Sequence, residues 1–210
     1  MMRVHRASER ELERWHQREI WYTPYAGLRA PPLGDEPRSF DGLLEVRLPP
    51  GASFPRHRGV GAELLTYVWE GAIVLQSDHG RHGLLRAGEF RRALSSAGAL
   101  PEELNQSSTE WARVFRVSVR ASPDEGERPD EQCRFTRAQR SNFACVVASS
   151  DGRDVSLSLQ ADELICSSVL DPVHLDVEPD QPRYSRSLIM DESERIRQRI
   201  QDALLDMLRH

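Results

Sequence analysis

Apolar and polar positions alternate with a period of two along most of this chain, the spacing of strands that bury one face. In "FDGLLEVRLPPGASF" the alternation predicts a strand over Leu43–Leu48, stopped by Pro49, Pro50 and Gly51. Glu63–Trp69 predicts the next, with Leu65, Tyr67 and Trp69 on one face and Leu64, Thr66 and Val68 on the other. Gly71 breaks it and Ala72–Gln76 resumes. "SDHGRHG" reads as a hairpin turn, because Asp78 and Gly80 supply the dihedrals a tight turn needs. "LLRAGEF" is a short strand broken at Ala87-Gly88. "EWARVFRVSVRAS" sets Phe115, Val117 and Val119 against Arg116, Ser118 and Arg120, a strand with one buried face. Short strands punctuated by glycine and proline favour a closed barrel or a sandwich.

Residues 121 to 132, "ASPDEGERPDEQ", break the pattern with charge and two prolines, and mark a linker over 121–140 between a first domain (1–120) and a second (141–190). After it "NFACVVA", a turn at "SSDGRD", "VSLSLQA", "ELICSSVL" and "HLDVEP" form a second group of strands. Val155, Leu157 and Leu159 are expected to face inward, against Ser156, Ser158 and Gln160. The end changes period: Ile196, Ile200, Ala203, Leu204, Met207 and Leu208 fall on one helical stripe over 191–210, with Asp191 and Glu194 placed as a capping box. "SERELERW" carries a shorter helical signal, Ser8 and Glu11 followed by Leu12 and Trp15.

Composition narrows the function classes. A net charge of −5 with arginines scattered among acids argues against a nucleic-acid partner, which needs a clustered basic face. No run approaches the roughly 18 apolar residues of a membrane span, and the amino terminus lacks a signal peptide's apolar core. Cys133, Cys145 and Cys166 are an odd number without C-x-x-C pairing, so neither a disulfide framework nor a zinc knuckle is expected. A cytoplasmic setting follows as the expectation. "GVGAE" precedes a strand and is followed by no lysine, so it is not a phosphate loop.

The order of "FDGLLEVRLPPGASF", "ELLTYVWEG", "AGEFRRALSSAGAL", "SSTEWARVFRVSV" and "CVVASSDGRDVSLSLQADELICSSVL" resembles the pirins, from about Phe40 to Tyr184. The resemblance implies a mainly β fold of double-stranded β-helix (cupin) barrels in tandem, here with a carboxyl-terminal α-helix. It also implies a metal, usually iron, held in the first barrel by three histidines and a glutamate. Laid without gaps, the family's first ligand motif falls on His57 to Glu63 and its second on Gly98 to Glu103. His57 and Glu103 match ligand positions, whereas Gly59 and Pro101 stand where the family has its other two histidines.

One imidazole and one carboxylate fall short of the facial triad of a non-haem iron site and of the three protein ligands of a catalytic zinc. His79 and His82 belong to the hairpin turn, His174 to the second domain, and His5 and His16 to the amino-terminal stretch. Neighbouring Glu102 points to the face opposite Glu103 on an extended segment. Glu103 has Arg56, Arg58 and Arg91 as candidate ion-pair partners, and Glu63 reads as an ordinary strand-end acid.

The expected function is therefore a pirin-like bicupin that has lost the metal and serves as a non-catalytic binding or regulatory module for a protein or small molecule. One alternative is an iron-dependent dioxygenase of the quercetinase type. Another is a metal-free binder or acid–base enzyme with Glu103 as base and His57 as acid. Pirins continue their second barrel further than this chain does. The terminal helix is thus expected to cover the opening and, with the second barrel, to offer a homodimer contact.

Overall fold

The computed structural model describes residues 11–15, 17–24, 42–54, 62–77, 80–95, 101–121, 129–141, 144–160, 164–169 and 187–190. The chain divides into two compact units. Arg10–Arg134 forms one, and Met1–Glu9 with Phe135–His210 forms the other.

In the first unit the strands are β1 (Glu11–Trp15), β2 (Arg18–Pro24), β3 (Gly42–Leu48), β4 (Ser53–Phe54), β5 (Ala62–Glu70) and β6 (Ala72–Ser77). They continue as β7 (Gly80–Arg86), β8 (Glu89–Ser95), β9 (Glu102–Leu104), β10 (Ala112–Arg120) and β11 (Glu131–Arg134). They build two antiparallel sheets, ordered β1-β2-β3-β10-β5-β8-β11 and β4-β9-β6-β7. One buried cluster joins them: Leu44, Leu64 and Val114 of the larger sheet meet Phe54, Ile73 and Leu85 of the smaller. Each fully buried aliphatic side chain contributes roughly 1.5–3 kcal/mol.

The period-two reading locates β3, β5, β6 and β10 to within a residue or two. The break at Gly71 has a steric cause. Its φ is +75°, and a Cβ there would lie 2.8 Å from the Trp111 carbonyl oxygen. The Ala87-Gly88 break is the corner where the chain leaves the smaller sheet for the larger. It is fixed by the Gly88 N–H donating to the Val68 carbonyl at 2.9 Å.

Other expectations are corrected. Glu11–Trp15, where a helical signal was weighed, is strand β1, paired residue for residue with β2. Five residues make a marginal helix, whereas a hairpin satisfies the same backbone groups at once. β2 itself carries apolar Ile20 inward but escapes the sequence pattern because Trp21 and Tyr22 blur its alternation. Within the interval read as linker, Glu131–Arg134 pairs with β8.

In the second unit, α1 (Arg137–Arg140) is capped by Thr136, and β12 (Cys145–Ser149), β13 (Leu157–Ser158), β14 (Leu164–Ser167) and β15 (Ser187–Met190) form a sheet ordered β13-β12-β14-β15. The expected inward stripe is only partly realised. Leu157 and Leu159 are buried, but Val155 is 81% exposed with φ +63° in a 3₁₀ turn, Arg153–Val155. Ser156 is buried instead, its hydroxyl 2.7 Å from that of Ser149. The three cysteines are half-buried. The predicted helix over 191–210 lies outside the described residues, as do His57 and Gly59.

Candidate functional site in the first β unit

β10 runs through the middle of the larger sheet, with β3 on one side and β5 on the other. Its two faces are both apolar at the start: Ala112 and Val114 share one parity, Phe115 and Val117 the other. Arg116 and Ser118 continue the parity of Val114, so they point into the core between the sheets, where they are 1% and 0% exposed. Register places Arg116 across from Leu44 on β3 and Thr66 on β5. From the opposing sheet β9 presents Glu103, itself across from Phe54 on β4 and Leu75 on β6.

These residues meet. The Arg116 guanidinium donates to Glu103 Oε2 through Nη2 at 2.7 Å and through Nε at 3.0 Å. Thr66 Oγ1 donates to the other carboxylate oxygen, Oε1, at 3.2 Å. The guanidinium carbon lies 4.1 Å from the centroid of the Phe54 ring, a cation–π contact. Glu103 is 2% exposed, so its charge is taken out of water and depends on these charge-assisted bonds. Two donor atoms of the same face have no partner: Arg116 Nη1 and Ser118 Oγ.

Of the residues singled out from the sequence, Glu103 is thus central, and Arg116 is its ion-pair partner; Arg56 and Arg58 lie outside the described residues. Arg91 pairs with Asp130. Pro101 is half-buried ahead of β9 and its side chain offers no donor. Glu102 does not join Glu103. Its charge acts on Arg18, raising a guanidinium that burial pushes below its usual range. Glu63 is no strand-end surface acid: it is fully buried, with Oε1 2.9 Å from Arg92 Nε. His5, His16, His79 and His174 fall outside the described residues, and so does the side chain of His82.

Both Glu103 oxygens are engaged by Arg116 and Thr66, and no three His, Cys, Asp or Glu side chains converge among the described residues.

Sequence reasoning missed Arg116 and Ser118 because polar residues alternating on a strand read as a water-facing stripe. The signal was present one turn of the pleat earlier: Ala112 and Val114 sit on that same face.

The strand order and the two-sheet core have known counterparts. The structure superimposes on YhhW from Escherichia coli with a TM-score of 0.68 at 22% identity, covering 92% of this chain and 90% of that one. A second structure of that protein, described as a bacterial pirin in complex with nickel(II), gives 0.67. In sequence the chain is 34% identical over 124 residues to the quercetin 2,3-dioxygenase of Escherichia coli strain K12, covering 58% of this chain and 50% of that protein. It is 29% identical over 140 residues to a pirin-like protein of Caulobacter vibrioides. The chain shares the fold of these structures and is similar in sequence to the quercetin dioxygenase and pirin-like proteins. It spans about half the length of the curated relatives it matches. No protein-family profile matches it. No helix among the described residues is long and apolar enough to cross a membrane.

Proposed function

We propose that the first β unit of this pirin-like protein is a metal-independent binding module. The observation that carries this reading is the buried Glu103–Arg116 pair. A permanently protonated guanidinium supplies the positive charge that a cation would otherwise supply to Glu103. A metal would have to displace Arg116 and Thr66 and leave a guanidinium buried without its counter-charge, which is strongly unfavourable. The sequence adds support, since Gly59 and Pro101 replace two histidines of the ligand motif. The acid–base alternative is weakened by the same contact, because Glu103 as a base would have to release both of its partners.

A quercetinase-type dioxygenase remains the second reading, favoured by the name of the 34% identical relative. It requires a metal held by His57 together with side chains other than Gly59 and Pro101. The test is metal content of the full chain purified without added metal, beside a His57→Ala variant, with oxygen uptake on quercetin measured in parallel. Sub-stoichiometric iron, nickel and zinc in both proteins, with no oxygen uptake, is the expected result. One metal per chain that disappears in His57→Ala overturns it.

A further inference from the structure

The geometry points to β1 as a docking edge for an extended, acid-bearing strand of a partner protein, received beside Leu12 and Arg14. Among the described residues β1 ends the larger sheet, so one of its backbone edges has no strand beside it. Proteins commonly blunt such edges with very short strands, bulges or proline. At the edges of the smaller sheet, β4 is two residues long and β7 shifts register against β6 between Leu75 and Gln76. β1 has none of these devices: its five residues pair one for one with β2 and include no proline.

The side chains along this edge select the partner. Ile20 of β2 lies in the core, so Trp21 and Glu19, and with them Leu12 and Arg14 across the register, stand on the sheet's other face. Leu12 is 43% exposed beside a half-buried Trp21. The Arg14 side chain is 72% exposed, its Nε 3.8 Å from Glu19 Oε1, while Arg47 Nη1 holds the other oxygen of Glu19 at 3.2 Å. Glu19 divides its charge between two guanidiniums, which leaves Arg14 able to take a second carboxylate. A strand added here therefore places an aliphatic residue opposite Leu12 and an acid opposite Arg14, two residues apart on one face.

A second copy of β1 does not supply that pattern. Antiparallel self-pairing centred on Glu13 sets Glu13 against Glu13, and centred on Leu12 it sets Glu11 against Glu13. Centred on Arg14 it sets Arg14 against Arg14. Like charges directly opposite one another destabilise a strand pair. The charges that oppose self-association thus admit a complementary strand.

The full chain is titrated with a short peptide alternating valine and glutamate, with its valine–lysine counterpart, and with the glutamate peptide carrying a central proline. Binding is read by backbone amide NMR shifts and by hydrogen exchange of Glu11–Trp15. The glutamate peptide is expected to give saturable shifts in β1 and to slow exchange there. The lysine peptide should bind roughly two- to fivefold more weakly, the range of one cross-strand charge pair. The chain's net charge of −5 by itself favours the lysine peptide, so a preference for glutamate reports the local contact. Arg14→Glu should reverse that preference, and Leu12→Ser should weaken the glutamate peptide by a similar factor. Absence of saturable shifts in β1 overturns the inference, as does a preference for glutamate that survives Arg14→Glu. Equal binding of the proline peptide also overturns it, because proline cannot complete the ladder. Dimers seen by light scattering that vanish in Leu12→Lys would assign the edge to a second copy and reject the partner strand. None of these readings depends on the metal content of the chain, so failure here and failure of the metal-independent reading are separate results.

Discussion

Two carboxylate–guanidinium pairs are buried on opposite faces of the same sheet, and they are put to different uses. Glu63 and Arg92 are both fully buried and sit on neighbouring strands β5 and β8, one diagonal step apart in register. Arg92 Nη1 also donates to the Pro129 carbonyl at 2.9 Å, so this pair ties the chain ahead of β11 to the sheet's outer face. Glu103 and Arg116 face inward and belong to different sheets, so their bond spans the core rather than running along one surface. A pair within one sheet reinforces pairing that the backbone already provides. A pair between sheets fixes their separation. Parity decides which is which: Glu63 falls with Leu65 and Tyr67, whereas Arg116 falls with Val114.

Breaking the inner pair from one side should have the largest effect. Arg116→Ala leaves the Glu103 carboxylate buried without its guanidinium, an expected loss of about 3–5 kcal/mol in urea unfolding. Replacing both partners, with Glu103→Leu and Arg116→Met, should recover that loss and can exceed wild-type stability. If the double variant is as unstable as the single one, the core depends on the charges themselves. The outer pair sharpens the contrast through Arg92→Lys, which keeps the charge but loses the fork that reaches Pro129. A loss of about 1–3 kcal/mol is expected, the cost of leaving one buried acceptor unmet. A loss as large as that of Arg116→Ala would erase the distinction between the two faces.

The exposed pair Asp151–Arg153 gives the smallest effect. The Arg153 guanidinium holds the Asp151 carboxyl well below its ordinary range, to about 2. Since the folded value lies below the unfolded one, its stabilisation is present above the ordinary carboxylate range. It is lost as pH falls toward 2. Asp151→Asn should flatten the acid limb of a Tm-versus-pH curve and leave neutral pH nearly unchanged, as solvent-screened pairs do.

The strands of the larger sheet were legible because their apolar residues recur every second position and glycine or proline ends each run, as at Pro49 and Gly71. β1 was not, since a short charged segment such as Glu11–Trp15 carries helical capping letters and sheet-edge letters alike, and only pairing with β2 chooses between them. Val155 was read as core from its alternation with Leu157. A left-handed turn at Gly152 and Asp154 shifts the frame before the strand begins. At the site, Glu103 came from resemblance to a ligand motif, which names one side chain and is silent on its partner. Arg116 is distant in sequence and on the opposing sheet, so the pair exists only once the two sheets face each other.

The position of β10 also governs the order of events during synthesis. β1, β2 and β3 can pair as they emerge, and β5 can pair with β8, but the two groups have no contact within the large sheet until Ala112–Arg120 is made. Until then β3 and β5 each expose an open, apolar edge, and the final closure joins Leu48 to the distant Ala112. Such non-local closure is slow, and the waiting edges are where nascent chains would stick to one another.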